Sequence, residues 1–266
     1  MIISIYTQIA PRLETFFLEE WIEHHLMIGV DKIYLYNNGF MSVDRRYGMG
    51  KVWGKKPYAN YFLEYTDEEI MNKLQTMVES FGNSVSLVPW TTGVECGGPH
   101  RAQCQRIGYR HCVENNQSDW WIHIDPDEYI LSKKYLDLKE FVSAQDTEKY
   151  GAFTLGQKLF GIRTTTQSVR SITECGVVAS MDEAGLTKTI ICDDILTYDI
   201  HQPILNPKCG TSKLVKFGDL MYYHYRGNIK STMSRDEFEN YKLFKHDDSM
   251  IQFLKKHGLN LENEEC

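Results

Sequence analysis

Asp125, Asp127 and Glu128 place three carboxylates within four residues, with Pro126 between the two aspartates. Acids this close repel one another unless a cation is shared. A hard divalent ion suits the role, because it takes oxygen ligands and keeps diphosphate oxygens and waters in its shell. Two aspartates one residue apart can both reach one ion where a strand turns into a loop, and Pro126 stiffens such a turn by fixing its own φ. The ion would act as a Lewis acid, taking up charge that develops on a departing diphosphate. A D-x-D pattern is short and also frequent in ordinary polar loops, so its weight depends on what positions it.

The preceding run, Trp120-Trp121-Ile122-His123-Ile124, reads as a buried strand. Ligands of open α/β sheets bind beyond the carboxyl ends of strands, which is where the acids fall. Residues 2–9 read as another buried strand, followed by Pro11 at a first helical position. Leu13, Phe17, Trp21 and Ile28, with Leu18, Ile22 and Leu26, then trace one helical face that Gly29 closes. Lys32 to Tyr36 gives a second strand, ended by the turn Asn37-Asn38-Gly39. Strand, helix and strand in this succession form a βαβ unit, so a parallel sheet starts at the N-terminus. A helix over 67–81, a strand over 84–88 stopped by Pro89 and a helix over 101–115 complete the first half. The second half is richer in strands, at about 151–160, 188–196, 213–217 and 220–225. Ser234 to Glu237 has the form of a capping box opening a last helix, with Phe238, Tyr241 and Phe244 on one face. The expected fold is α/β: one Rossmann-like mixed sheet flanked by helices. It forms a single domain over 1–266, with a nucleotide-binding half (1–131), an acceptor-shaping half (132–246) and a peripheral polar tail (247–266).

Composition narrows the function. A net charge of −7, with no basic run longer than two residues, argues against nucleic acid as the main ligand. The seven cysteines are odd in number and scattered without a C-x-x-C pair, which argues against structural zinc and for free thiols in a reducing compartment. No run of about 18 apolar residues is present. The short apolar start lacks the form of a signal peptide. These features predict a cytoplasmic chain with no transmembrane segment.

Several blocks, in order, resemble the family 92 glycosyltransferases of the GT-A superfamily. The first is Leu18-Glu19-Glu20-Trp21-Ile22-Glu23-His24-His25, followed by Gly29 to Gly39. The second runs from Gln105 through Tyr109, Cys112 and Trp121 to Asp125-Pro126-Asp127-Glu128-Tyr129-Ile130. Phe160-Gly161 follows, then Lys188-Thr189-Ile190 with His201 further on. The last block is His224-Tyr225-Arg226, with Lys230-Ser231 and Phe238. The resemblance covers most of the chain apart from about 40–85 and the tail. It implies a GT-A fold, a nucleotide-sugar donor (a UDP- or GDP-sugar), Mn²⁺ or Mg²⁺, and inversion at C1. A hexosyl or pentosyl group would pass to a hydroxyl of a glycan or polysaccharide. The first loop, Gln8-Ile9-Ala10-Pro11-Arg12, departs from the Asn-Glu common among relatives. Animal relatives usually carry a membrane anchor, so its lack here points to a bacterial or virus-encoded enzyme.

Each candidate residue has a bland alternative. Asp127 is the leading metal ligand, and Asp125 reaches either the metal or the donor ribose. Glu128 is assigned to hold a neighbouring backbone or basic side chain. His224 lies on the aromatic strand Tyr222-Tyr223-His224-Tyr225, where a histidine is more often simply packed. The resemblance makes it a metal ligand. Thr7, Gln8 and Asn37 end the first two strands, where a nucleoside would sit, although Asn37 also suits plain turn chemistry. Arg101 and Gln105 begin a helix ahead of the acidic strand and could meet donor phosphate or sugar, or form a solvated first turn. An inverting reaction needs a carboxylate base. Glu174, Asp182, Glu183, Asp193 and Asp194 are the candidates; the resemblance implies Glu174, by its distance from Phe160-Gly161, with Asp182 next, and each alone would pass for a surface acid. Two other functions compete. A sugar-nucleotide nucleotidyltransferase would need a glycine-rich phosphate loop, and Gln8 to Thr15 contains no glycine. A catalytically silent glycan-binding protein would use Trp53, Tyr58 and Tyr61 as a platform, but has no need of the intact acidic cluster.

Overall fold

A computed structural model describes residues 1–9, 11–37, 65–90, 101–159, 178–179, 182–199, 203–216, 219–224, 244–245 and 249–258. Strand β1 (Ile3–Ile9) is buried along its whole length. It pairs in parallel with β2 (Lys32–Asn37) on one side and β4 (Trp120–His123) on the other, and β2 pairs in parallel with β3 (Val85–Pro89). The order β3-β2-β1-β4 is therefore the parallel half-sheet expected from the βαβ pattern. Pro89 stays inside β3, which is tolerable because β3 ends the sheet and its missing donor faces no strand.

Beyond β4 the sheet changes character. β8 (Asp182–Cys192) runs antiparallel to β4, and β6 (Tyr150–Leu159) runs antiparallel to β8. β12 (Leu220–His224) is parallel to β6, and β5 (Glu128–Ser132) closes the path antiparallel to β12. β11 (Thr211–Leu214) pairs with the other end of β6. The carboxyl ends of β4, β6 and β12 and the amino ends of β8 and β5 thus share one edge of the sheet. Residues from both expected halves of the chain supply this sheet.

Helix α1 (Pro11–Met27) ends at Gly29, whose φ of +90° only glycine adopts readily. Its Leu18, Trp21 and Ile22 join Ile3, Ile5 and Ile9 in the larger core. Helix α2 (Asp67–Ser80), capped by the Thr66–Glu69 box, adds Leu74, Met77 and Val78. Helix α3 (Arg101–Asn115) covers the opposite face, where Tyr109 and Cys112 meet Tyr6 and Trp121. Gly108 allows that helix to sit down, because a Cβ there would lie 2.4 Å from the Tyr6 hydroxyl. The short α4 (Leu138–Ser143) is capped by Asp137. Among the described residues no helix is long and apolar enough to cross a membrane.

Three expectations are corrected. The strand expected over 188–196 is two strands, because the chain bends at Asp193 and Asp194 before β9 (Ile195–Thr197), which pairs with β10 (Ile204–Leu205). Phe244 is not helical: β13 (Phe244–Lys245) pairs with β7 (Val178–Ala179), while Ser234 to Tyr241 fall outside the described residues. The tail is not wholly peripheral either. Its helix α5 (Ser249–Lys256) buries Met250, Phe253 and Leu254 in the larger core, since an amphipathic stripe outweighs a polar average.

Candidate active site

The acidic turn begins where β4 leaves the sheet. Ile124 N–H still donates to Tyr6 O at 3.4 Å, and then Glu128 N–H donates back to Asp125 O at 3.0 Å. Pro126 takes the second position of this turn, which its fixed φ favours. The Glu128 carboxylate closes the turn a second time, accepting from Asp125 N–H at 2.8 Å. Glu128 also opens β5 opposite His224.

Lys188, from the centre of β8, reaches into this turn. Its ammonium lies 3.1 Å from Asp125 Oδ2 and 2.9 Å from Glu128 Oε2, and its side chain is 0% exposed. A lone buried charge would be prohibitive, whereas a paired one can be kept. Burial pulls the Lys188 pKa down, but Asp125 and Glu128 together outweigh that pull and hold it above the usual lysine value. Burial pushes the Glu128 carboxyl up while Lys188 opposes it. Glu128 Oε2 accepts from both an ammonium and an amide, the donor set of an ionised carboxylate, and we assign the pair as charged. Gln105 Nε2 donates to Asp125 Oδ1 at 3.2 Å, tying α3 to the same turn.

On the other side of the turn, Asp127 is 1% exposed, and its Oδ2 is 3.5 Å from His224 Nε2. Gln157, from β6, faces His224 Nδ1 at 2.6 Å. The Gln157 atom placed there is Nε2, a donor; ligation through His224 Nε2 would require the proton on Nδ1 and the carboxamide turned so that its oxygen accepts it. Among the described residues no group of three or more His, Cys, Asp or Glu side chains is placed to hold a metal ion. Asp127 and His224, a carboxylate and an imidazole at one sheet edge, would suit an open site in which substrate oxygens and water would supply the remaining ligands of a divalent ion.

Behind the turn, α1 fixes the path of β5. Trp21 Nε1–H donates to Glu128 O at 2.8 Å, and His24 Nε2 meets Ile130 O at 2.7 Å. Tyr129 packs edge-on to His24 with ring centroids 5.1 Å apart. The Trp21-Ile22-Glu23-His24-His25 block therefore supports the site from behind.

The remaining candidates are distributed unevenly. Thr7 and Gln8 end β1, and both are buried. Among the described residues Thr7 Oγ1 and both polar atoms of the Gln8 carboxamide find no hydrogen-bond partner. Asn37 ends β2, with Nδ2 3.6 Å from Met71 Sδ. Arg101 opens α3, but its side chain lies outside the described residues. Asp182 opens β8 opposite Lys158 of β6, with its side chain likewise outside them. Glu174, His201, Phe160, Gly161, Tyr225, Arg226, Trp53, Tyr58 and Tyr61 also lie outside. Cys112, Cys192 and Cys209 are free.

Two residues of the cluster had no role in the sequence reading, Lys188 and Gln157. A signal for Lys188 was present: in the run Leu186 to Cys192 it occupies the same face as Ile190, so period two places a charge where the sheet is buried. Gln157 gave no comparable signal.

No family model matches the sequence, and no curated protein matches it. Solved structures with a similar course of chain include S. aureus TarS 1–349, at 12% identity and TM-score 0.41, covering 85% of this chain and 61% of that one. The same protein in complex with UDP-GlcNAc gives 12% identity and TM-score 0.44, covering 90% and 64%. The mannosyltransferase PcManGT from Pyrobaculum calidifontis, in complex with GDP-Man and Mn²⁺, gives 10% identity and TM-score 0.35, covering 80% and 57%. The chain spans less than two thirds of the length of each of these structures.

Proposed function

We propose that the chain is a metal-dependent glycosyltransferase that moves a sugar from a UDP- or GDP-sugar to a hydroxyl of a glycan or polysaccharide. The observation that carries this reading is the meeting of Asp127 and His224 at 3.5 Å, on the edge where β4 and β12 end. Asp127 and His224 would hold Mn²⁺ or Mg²⁺, which when bound supplies positive charge for the departing nucleoside diphosphate. The resemblance of the ordered blocks to family 92 supports the reaction class and inversion.

The chain's own groups have distinct tasks. Gln8 and Thr7 end β1 with polar atoms that are buried and unpaired. Leaving such a group unpaired costs roughly 1–3 kcal/mol, so a donor nucleoside that pairs with it recovers that cost. Asn37, at the end of the adjacent β2, would flank the same nucleoside, and Arg101 and Gln105, on α3, would lie toward phosphate and sugar. Asp125 is 20% exposed and hydrogen-bonded on both oxygens, which suits it to orient a donor hydroxyl. The acceptor proton needs a carboxylate base. Glu174 and Asp182 are both retained, and the start of β8 on the edge shared with His224 supports Asp182.

A thermal-shift panel of UDP- and GDP-sugars, with and without Mn²⁺, tests the reading. A donor at a hundred times its Kd stabilises the native state by about 2.7 kcal/mol, roughly 5–10 °C for a chain of this size. The shift should require Mn²⁺ and vanish in Asp127→Ala. A full shift without metal, or one retained by Asp127→Ala, overturns the metal assignment. Product analysis completes the test: nucleoside diphosphate marks sugar transfer, and pyrophosphate marks a nucleotidyltransferase.

A further inference from the structure

The acidic turn carries three carboxylates but faces two different kinds of partner. On one side the Lys188 ammonium spans Asp125 Oδ2 at 3.1 Å and Glu128 Oε2 at 2.9 Å. On the other side Asp127 Oδ2 lies 3.5 Å from His224 Nε2, while Glu128 Oε1 lies 3.8 Å from His224 Nδ1. The geometry points to a turn divided between two cations: Lys188 is the resident counter-charge of Asp125 and Glu128, and it confines a divalent ion to Asp127 and His224. Lys188 is thus a positioning residue that decides which aspartate of the D-x-D pair is a metal ligand. The inference rests on the metal reading proposed above.

Three observations support the division. First, Lys188 cannot easily withdraw. Its backbone is paired opposite Leu155 in β6, and its side chain is 0% exposed. An ion bridging Asp125 and Asp127 would take one of its two carboxylates from a buried ammonium and set a divalent charge beside it, which the interior disfavours. Second, both oxygens of Asp125 already accept hydrogen bonds, from Gln105 at 3.2 Å and Lys188 at 3.1 Å, while Gln157 holds His224 from behind at 2.6 Å. Third, among the described residues at this turn the carboxylates outnumber the ammonium three to one, which leaves room for a divalent ion beside Lys188.

The test titrates Mn²⁺ alone into the full chain, follows the free-ion signal by electron paramagnetic resonance, and records melting curves alongside. Asp127→Asn should weaken Mn²⁺ binding by about tenfold or more, and Asp125→Asn by less than about threefold, because its charge is already neutralised. Lys188→Met should tighten binding by about tenfold and enlarge the Mn²⁺-induced rise in Tm, since a metal then replaces the lost ammonium. Lys188→Met/Glu128→Gln restores the net charge of the turn and guards against misfolding of the single variant. In that background Asp125 has lost the Lys188 ammonium, so adding Asp125→Asn should now cost about tenfold. The inference is overturned if Asp125→Asn weakens Mn²⁺ as much as Asp127→Asn in the otherwise native chain. It is equally overturned if loss of Lys188 leaves Asp125→Asn without added effect. A native chain that ignores Mn²⁺ while the Lys188 variant binds it overturns the metal-dependent function and supports the Lys188 assignment. If neither binds it, both are overturned.

Discussion

The strands β3-β2-β1-β4 and the strands β8-β6-β12-β5 belong to one sheet but are held in different ways. In the first group parallel neighbours are joined through helices, and β1 and β2 are linked by α1 alone. In the second group the important contacts span long stretches of chain: Asp125 to Lys188 is 63 residues and Gln157 to His224 is 67. The acidic turn sits at the seam, attached to β4 on one side and dependent on β8, β6 and β12 on the other. The parallel half provides a platform with unpaired polar groups at its edge. The mixed half supplies the charges that give the acids their separate roles.

This contrast can be tested by disturbing each side. The largest effect is expected from Lys188→Met, which removes one partner of a buried charge cluster. It should cost about 3–5 kcal/mol, a fall in Tm of roughly 10 °C or more. A change below about 1 kcal/mol in denaturant unfolding would show that the seam does not depend on this charge. Next is Trp21→Phe, which deletes the bond from α1 to Glu128 O while keeping an aromatic ring. A loss of about 1–3 kcal/mol is expected, together with weaker Mn²⁺ binding if the path of β5 controls the turn. Lower stability with unchanged Mn²⁺ binding would confine Trp21 to the scaffold.

A smaller effect concerns pH. His25 is fully buried, and its Nδ1–H donates to Trp21 O at 2.8 Å. Burial above all, and then His24, hold its pKa well below the ordinary histidine value, against a small opposing pull from the Trp21 carbonyl. The native state therefore stays unprotonated where the unfolded chain takes up a proton. The contribution is fully present above the unfolded value near 6.5 and is lost as pH falls below it, by up to about 1.4 kcal/mol per pH unit. Urea unfolding of His25→Gln should show a flatter dependence between about pH 6.5 and 5 than the native chain. Equal slopes would mean that His25 is protonated in the fold. The smallest effect is on α3, where the Arg110–Glu114 pair is 65% and 48% exposed. Arg110→Ala should leave Tm unchanged within the error of a melting curve, because exposed pairs contribute little.

Much of the scaffold was legible locally. The βαβ start, the Gly29 stop, α2, α3 and the strand before Asp125 all follow from apolar spacing and end signals, which act over a few residues. The bend at Asp193 and Asp194 was missed because period two runs on through it, and α5 because the tail was judged by its average polarity rather than its stripe. The candidate site was half legible. Asp125, Asp127 and Glu128 declare themselves by crowding, whereas His224 became a candidate through the family resemblance. Thr7 and Gln8 could be placed at a strand end, but not seen to be buried and unpaired.

What the chain order establishes by itself is therefore an α/β scaffold with three carboxylates where a buried strand leaves the sheet. It does not say which cation meets which acid. Periodicity identifies the face a side chain occupies but not its neighbour across the sheet. That neighbour depends on strand order and register, which the folding of the whole core sets. Here the register beside β4 brings in Lys188 and the end of β12 brings in His224. Those two placements set an ammonium against Asp125 and Glu128 and an imidazole beside Asp127.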